Sequence, residues 1–143
     1  MTTGIDVIEN ACQKVSEGDL DNAKNIIMQN YTFKPLVKAK RQYTETQKTK
    51  VFRDDGFIDR YSGEKLVYPP VLRILSYIMP TEFPFQKNWK MSECHIAYWE
   101  LVPTIDHKNP VSRGGKDEYE NWVCTSQLRN NIKSNWTLEE LGW

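Results

Sequence analysis

The chain has 143 residues, carries 19 acidic and 19 basic side chains, and is 39% apolar. This composition is typical of a globular protein and excludes a disordered chain, while the zero net charge argues against a protein that coats itself with nucleic acid. No run reaches the roughly 18 apolar residues of a membrane span, and the N-terminal residues lack the basic and then apolar pattern of a signal peptide. We therefore expect a cytoplasmic protein with no membrane partner.

The N-terminal part is predicted to be a helical hairpin. Thr3 precedes apolar positions at helical spacing, which indicates a helix over residues 4–17. Gly18 ends this helix, and Asp19 caps a second one that continues to about Asn30. Such a hairpin could dock, dimerise or cover the core.

A basic segment follows the hairpin. Residues 34–53 carry seven Lys and Arg against one Glu, a net charge of +6, whereas residues 1–33 carry a net charge of −3. Two interpretations stay open, a solvated face or linker and a segment that contacts phosphates. In the second interpretation Lys38, Lys40 and Arg41 bind nucleic acid.

The middle of the chain combines turn signals with one clear helix. Gly and Asp residues predict a small β-hairpin within residues 52–66. The prolines at positions 69 and 70 introduce a buried helix that ends at Pro80. Residues 81–95 lack a period and predict an irregular packed segment, and residues 96–101 fit either a strand or a helix.

The C-terminal half predicts the order strand, long loop, strand, helix. Residues 102–107 have the β-branched character of a short strand, and residues 122–125 resemble its partner. Ser126 can cap a helix that continues through Ser134, and Thr137 opens a last helical turn through a capping box.

Polar residues at the end of the first strand suggest a metal-assisted reaction. Asp106 offers a charged oxygen and Asn130 a neutral one, a set that would leave most of the coordination sphere of Mg²⁺ open. His107, with an ordinary pKa of about 6.5, can take a proton from water at neutral pH. Because neighbouring residues of a strand point to opposite faces, Asp106 and His107 can share a site only where the strand ends or bends.

Further polar residues could complete this site. The amide of Asn121 could orient the imidazole or pin the loop. Lys133 lies three residues after Asn130 on the predicted helix, which would place a cation beside the metal and the scissile phosphate. Arg113 and Lys116 in the loop could add phosphate contacts.

These residues form a recognisable motif. Over about residues 100–135 the chain resembles an HNH endonuclease of the ββα-metal, or His-Me finger, superfamily, in the residues Asp106, His107, Pro110, Ser112, Gly114, Gly115, Asn121, Asn130 and Lys133. The resemblance implies an α+β fold with a ββα-metal core, the N-terminal hairpin and further helices packed around it. It also implies DNA cleavage that leaves 5′-phosphate and 3′-hydroxyl ends.

The resemblance also assigns roles to individual residues. His107 would be the general base, and Asp106 and Asn130 would bind one divalent metal ion, Mg²⁺ or Mn²⁺. Asn121 would orient the loop and His107. Because Asn130 stands where many relatives have histidine, the chain would be an H-N-N variant, with Asn131 remaining an alternative ligand.

Many relatives carry two Cys-x-x-Cys pairs that bind zinc, and this chain departs from that pattern. The corresponding positions hold Asp59, Ser62, Ser126 and Arg129. We therefore expect no structural zinc, with an ion pair between Asp59 and Arg129 in place of the sulfur–zinc bonds.

The leading hypothesis is thus a DNA endonuclease in one compact unit, with the hairpin and basic segment in residues 1–50 and the nuclease domain in residues 51–143. A homodimer would let one site per chain cut both strands, although nothing in the sequence requires it. One alternative is a nucleic-acid-binding module with a catalytically idle HNH fold. Another is an interaction protein that acts through its N-terminal hairpin.

Overall fold

The structure, a computed structural model, describes residues 2–37 and 40–143. The chain divides into two compact units, one ending at Leu36 and the other spanning Val37–Trp143. This division lies within the basic segment, upstream of the boundary at residue 50 that the sequence suggested. Lys38, a predicted nucleic-acid contact, lies outside the described residues.

The first unit is a pair of helices, α1 (Gly4–Ser16) and α2 (Leu20–Asn30). Thr3 caps α1 in a capping box with Asp6, and the side chain of Asp19 accepts the hydrogen bond that caps α2. Both predicted helices are confirmed. Small apolar side chains are buried where the helices pack: Val7, Ala11 and Ala23.

The second unit begins with a helix that the sequence analysis overlooked. Helix α3 spans Glu45–Asp54 and starts at a capping box between Thr44 and Gln47. Its buried Val51 and Phe52 pack toward the sheet. Residues 45–53 of the basic segment are therefore helical and not a linker, and the exposed Lys50 and Arg53 lie on this helix. The predicted β-hairpin is wrong over residues 52–54, which belong to α3. Further along, Ile58 and Lys65 form an isolated antiparallel bridge in place of two paired strands.

Two helices of the second unit surround a separate aromatic cluster. Helix α4 spans Pro69–Ile78 as predicted, and α5 (Ala97–Glu100) decides the open choice at residues 96–101 in favour of a helix. The expectation that α4 is buried is wrong, because only Leu72 is enclosed. Leu72 belongs to a second core cluster, together with Cys94, Tyr98, Trp99 and Val102.

The predicted strand, loop, strand and helix are confirmed. Strand β1 (Pro103–His107) pairs antiparallel with β2 (Trp122–Ser126), with Ile105 opposite Cys124 and His107 opposite Trp122. Ser126 caps helix α6 (Gln127–Lys133), which packs on both strands. A short α7 (Leu138–Leu141) follows the predicted capping box.

The second unit is thus an α+β structure in which a two-stranded sheet lies between helices. On the α3 side the sheet contributes to the first core cluster, composed of Val51, Phe52, Leu66, Ile105, Trp122 and Cys124. On the other side it meets α6. Across residues 2–37 and 40–143, no helix is both long and apolar enough to cross a bilayer.

Candidate active site

The last residues of β1 send their side chains to opposite faces of the sheet. Ile105 belongs to the core cluster on the α3 side, and His107, two residues later, contacts Trp122 of that cluster. Asp106, between them, bonds to Lys133 of α6 on the other face. The alternation expected for a strand therefore continues to its end and gives the Asp-His pair two separate side-chain networks.

Two donors hold the carboxylate of Asp106, and both use the same oxygen. The Lys133 Nζ lies 2.9 Å from Oδ2, and the Tyr61 hydroxyl donates to Oδ2 at 2.5 Å. Burial, together with the hydrogen bond to Asp106, raises the pKa of Tyr61, which keeps the phenol protonated as a donor. The other oxygen, Oδ1, is the one through which Asp106 could bind a metal.

Lys133 occupies a different place from the one its spacing suggested. Its side chain is fully buried, and its ammonium group donates to the His107 carbonyl at 2.7 Å as well as binding Asp106. The long aliphatic stem runs from α6 to the strand instead of outward to solvent. A phosphate therefore cannot contact Lys133 in this conformation, and its charge neutralises Asp106.

The imidazole of His107 is buried and held by Asp117. The His107 Nε2 lies 2.7 Å from Asp117 Oδ1, and the ring is only 2% exposed. Because a carboxylate can only accept, we assign the proton to Nε2. The Trp122 indole N–H, 3.1 Å from Nε2 and 2.9 Å from Asp117 Oδ1, then donates to Asp117, and Nδ1 is the basic atom of the neutral ring. This arrangement resembles the carboxylate–histidine pairs that fix a tautomer in hydrolases.

Asp117 is itself fixed by several donors. The Trp122 indole N–H donates to Oδ1 at 2.9 Å, and the Gln42 backbone N–H donates to Oδ2 at 2.5 Å. Partial burial acts to raise the pKa of Asp117, but the hydrogen bonds from His107, Gln42 and Trp122 outweigh it and lower the pKa below its usual value. Asp117 therefore stays charged at neutral pH beside His107.

Asn121 pins the loop, and its side-chain hydrogen bonds go to backbone atoms of the loop and not to the imidazole. Its Oδ1 accepts from the Asn109 N–H, and its Nδ2 donates to the carbonyls of Asn109 and Lys116, each within 2.8–2.9 Å. Of the two roles left open for Asn121, the structure favours loop pinning. The residue that orients His107 is Asp117.

The paired glycines make this loop sterically possible. Gly114 has a φ of 90°, a backbone conformation that favours glycine. A Cβ at Gly115 would lie 2.0 Å from the carbonyl oxygen of Asn109, closer than any real contact. The loop therefore turns back onto the residues that follow His107 only because position 115 has no side chain.

Asn130 faces the end of β1 with its amide group. Its Nδ2 donates to the Ile105 carbonyl at 3.1 Å, so its Oδ1 is available to another partner. The neighbouring Asn131 is exposed, and its oxygen accepts from Gln127 at 3.0 Å. The contacts therefore favour Asn130 over Asn131 as a ligand.

The basic side chains that were predicted to contact nucleic acid lie in different environments. Arg113 pairs with Glu140 at 3.4 Å, and Lys116 lies 3.6 Å from Glu118 in an exposed position. Lys40 and Arg41 are exposed, and Arg41 lines a groove beside Asn130. Of this set, only Arg41 is placed by the structure next to a predicted metal ligand.

The four positions at which many HNH endonucleases hold cysteine meet around one buried carboxylate. Asp59, 1% exposed, accepts from the backbone N–H groups of Ser62 and Ser126 and lies 3.6 Å from the Nε atom of Arg129. The Ser126 hydroxyl in turn accepts from the Arg129 N–H. The predicted ion pair between Asp59 and Arg129 is confirmed.

The sequence did not predict three residues that belong to the site: Tyr61, Asp117 and Trp122. Asp117 was discoverable in principle, since it is the first carboxylate after the glycine turn. In the described part of the chain, no three His, Cys, Asp or Glu side chains form a group that could hold a metal, so a metal here would depend on Asp106 and Asn130.

No protein-family model matches the chain, and no curated protein or solved structure matches it either.

Proposed function

We propose that the second unit is an HNH-type nuclease domain that hydrolyses DNA phosphodiester bonds with one divalent metal ion. The observation that carries the proposal is the hydrogen bond between Asp117 and His107, the last residue of β1. It joins a potential general base to a loop that Asn121 and Gly115 hold in place. A carboxylate that fixes the tautomer of a histidine is a common feature of histidine general bases.

In this proposal His107 takes a proton from the attacking water at Nδ1. The water oxygen forms the new bond to phosphorus, and the bond between phosphorus and the 3′-oxygen breaks. The leaving 3′-oxygen takes a proton from solvent, which gives a 5′-phosphate and a 3′-hydroxyl. Asp117 stabilises the imidazolium that forms, because its carboxylate accepts from Nε2 at 2.7 Å.

The donors around β1 fit a weakly held Mg²⁺ or Mn²⁺. Asp106 Oδ1 and Asn130 Oδ1 would hold the ion, since the other polar atom of each side chain is already engaged. Such an ion would polarise the phosphate and stabilise its developing charge. Because Lys133 already neutralises Asp106, we expect the metal affinity to be low until substrate phosphate oxygens complete the site.

The cluster around Asp59 supports the same fold without zinc. In the resemblance, two turns that would carry cysteine pairs are held together by a metal. Here Asp59 joins Ser62, Ser126 and Arg129 through hydrogen bonds and an ion pair. We therefore infer that the core needs no structural zinc.

A second candidate function is a nucleic-acid-binding module with an idle HNH fold. The burial of the reacting groups favours it, because His107 is 2% exposed and Lys133 is fully buried. Asp106 and His107 also face opposite sides of the sheet, so one phosphate would reach both only after the end of β1 and the residues around His107 move. An idle fold would keep the networks of Asp106 and His107 for stability alone.

Cleavage of supercoiled plasmid separates the two candidates. The full chain and an Asn130→Ala variant are each incubated with Mg²⁺, Mn²⁺ or EDTA. The nuclease proposal predicts metal-dependent nicking that the variant loses or that requires far more metal. An idle module predicts intact plasmid in every lane together with a retarded band in a gel-shift assay.

A further inference from the structure

A groove beside the candidate active site has an unusual lining. It runs between the segment Arg41–Tyr43 and helix α6. The residues that matter here are Arg41, Tyr43, Gln127, Asn130, Asn131 and Asn135. Among the described residues that line it, Arg41 carries the one formal charge, and four of the other eight are amides.

This lining suits a phosphodiester with its attached sugar and base. A single guanidinium with no carboxylate in the groove attracts an anion, and guanidinium groups bind phosphate oxygens through paired N–H donors. Amide side chains both donate and accept, as the edges of bases require. A metal cation or an acidic peptide segment with several charges would find fewer matched partners.

The wall formed by Arg41–Tyr43 is fixed to the candidate active site. The Gln42 N–H donates to Asp117 Oδ2 at 2.5 Å, while the other oxygen of Asp117 binds His107. The Tyr43 ring packs edge-on against Trp122, with ring centroids 5.7 Å apart. The groove is therefore pre-formed next to Asn130, and its outer wall shares Asp117 with the potential base.

We propose that this groove binds one phosphate of a nucleic-acid strand, adjacent to the phosphate that is cleaved, through Arg41. Gln127 and Asn131 would contact the neighbouring sugar or base of the same strand. The inference rests on the proposed function and adds the strand-binding site to it. Because one cation matches one phosphate, the groove holds a short stretch of a single strand and does not follow a duplex backbone.

Binding of a labelled single-stranded oligonucleotide tests the groove without any cleavage. Fluorescence anisotropy is measured with the full chain in EDTA over a series of salt concentrations. For Arg41→Gln we expect binding about tenfold weaker at low salt, since an ionic hydrogen-bonded contact is lost. The slope of log K against log salt should fall by about 0.7, the value for one phosphate on a single strand.

Two further variants, one inside the groove and one outside it, test whether the loss of binding is specific to the groove. Asn131→Asp keeps Arg41 but adds a carboxylate to the groove, and we expect it to weaken binding as well. Lys87→Gln removes an exposed charge outside the groove and should change neither affinity nor slope. Equal thermal midpoints for all variants would show that each is folded.

The outcomes separate this inference from the proposed function. Binding by Arg41→Gln and Asn131→Asp that matches Lys87→Gln would overturn the groove, even if the chain cleaves DNA. Arg41-dependent binding in a chain that never cleaves with Mg²⁺ or Mn²⁺ would support the groove and reject the nuclease.

Discussion

The Lys133 ammonium lies 2.9 Å from the Asp106 carboxylate and donates to the His107 carbonyl at 2.7 Å, so one fully buried cation links both residues of the Asp-His pair. The link runs through the His107 backbone and leaves its imidazole to Asp117 on the other face. Lys133 thereby fixes the position of the strand end on which the proposed chemistry depends.

Replacing Lys133 should therefore lower the free energy of unfolding more than it weakens DNA binding. In Lys133→Met the Asp106 carboxylate loses its buried partner, and loss of one partner of a buried ion pair costs about 3–5 kcal/mol. Urea unfolding at neutral pH measures the change. The double variant Asp106→Asn with Lys133→Met should regain much of the loss, and a double variant as unstable as the single one would contradict this account.

Asp117→Asn tests the carboxylate that holds His107. Because the pKa of Asp117 is lowered in the folded state, its contribution to stability is present above its unfolded pKa and is lost as the pH falls through the folded value. We expect a loss of about 1–3 kcal/mol at pH 7. The difference from the native chain should begin to shrink below pH about 3.9, where the carboxylate of the unfolded chain becomes protonated, and should disappear below the lower pKa of the folded state.

The same variant has a consequence for catalysis. If Asp117 fixes the tautomer of His107, Asp117→Asn should lower the cleavage rate by a factor on the order of 10² or more at pH 7. An unchanged rate in a variant that is folded would show that His107 needs no carboxylate partner.

The glycine turn offers a matched pair of substitutions. Gly115→Ala places a Cβ 2.0 Å from the Asn109 carbonyl oxygen, which the backbone can relieve only by moving. Gly114→Ala meets no atom within 4 Å and strains only a φ of 90°. We expect about 1–2 kcal/mol for Gly114→Ala and a larger loss for Gly115→Ala, with faster proteolysis of the loop. Equal losses would contradict the close approach.

The three cysteines should differ sharply in reactivity. Cys12 is exposed, whereas burial, with a smaller effect from Asp55 and Asp59, raises the pKa of the Cys124 thiol to about 12. Titration of the folded chain with a disulfide reagent at pH 8 should therefore modify one thiol rapidly. Cys94 and Cys124, both buried, should react only when the chain unfolds. Rapid modification of three thiols in the native state would contradict the described core.

Local signals explain why much of the fold was predictable. Ser126 and Thr137 cap helices through their own side chains, and the strand residues before Ser126 have β-branched or apolar character. Such signals act over a few residues, so they can be recognised in the sequence. Helix α3 was missed because the density of charge in its segment obscured the capping box between Thr44 and Gln47.

The site was less predictable because its partners come from distant elements. Helical spacing placed Asn130 and Lys133 on one face correctly, but it cannot tell whether a lysine stem turns inward or outward. Tyr61 reaches Asp106 from a separate turn, 45 residues earlier in the chain. Contacts of this kind depend on tertiary packing, which no local pattern records.

The most direct test of the proposed function compares the two histidines of the chain. His107 is paired with Asp117, whereas His95 stacks on Phe83 and accepts a hydrogen bond from the Ala97 N–H. Single-turnover cleavage of a labelled oligonucleotide with Mg²⁺ is measured for the native chain, His107→Ala and His95→Ala. We predict 5′-phosphate products from the native chain and from His95→Ala, and none from His107→Ala. Cleavage by a folded His107→Ala variant at the native rate would contradict the assignment of the general base.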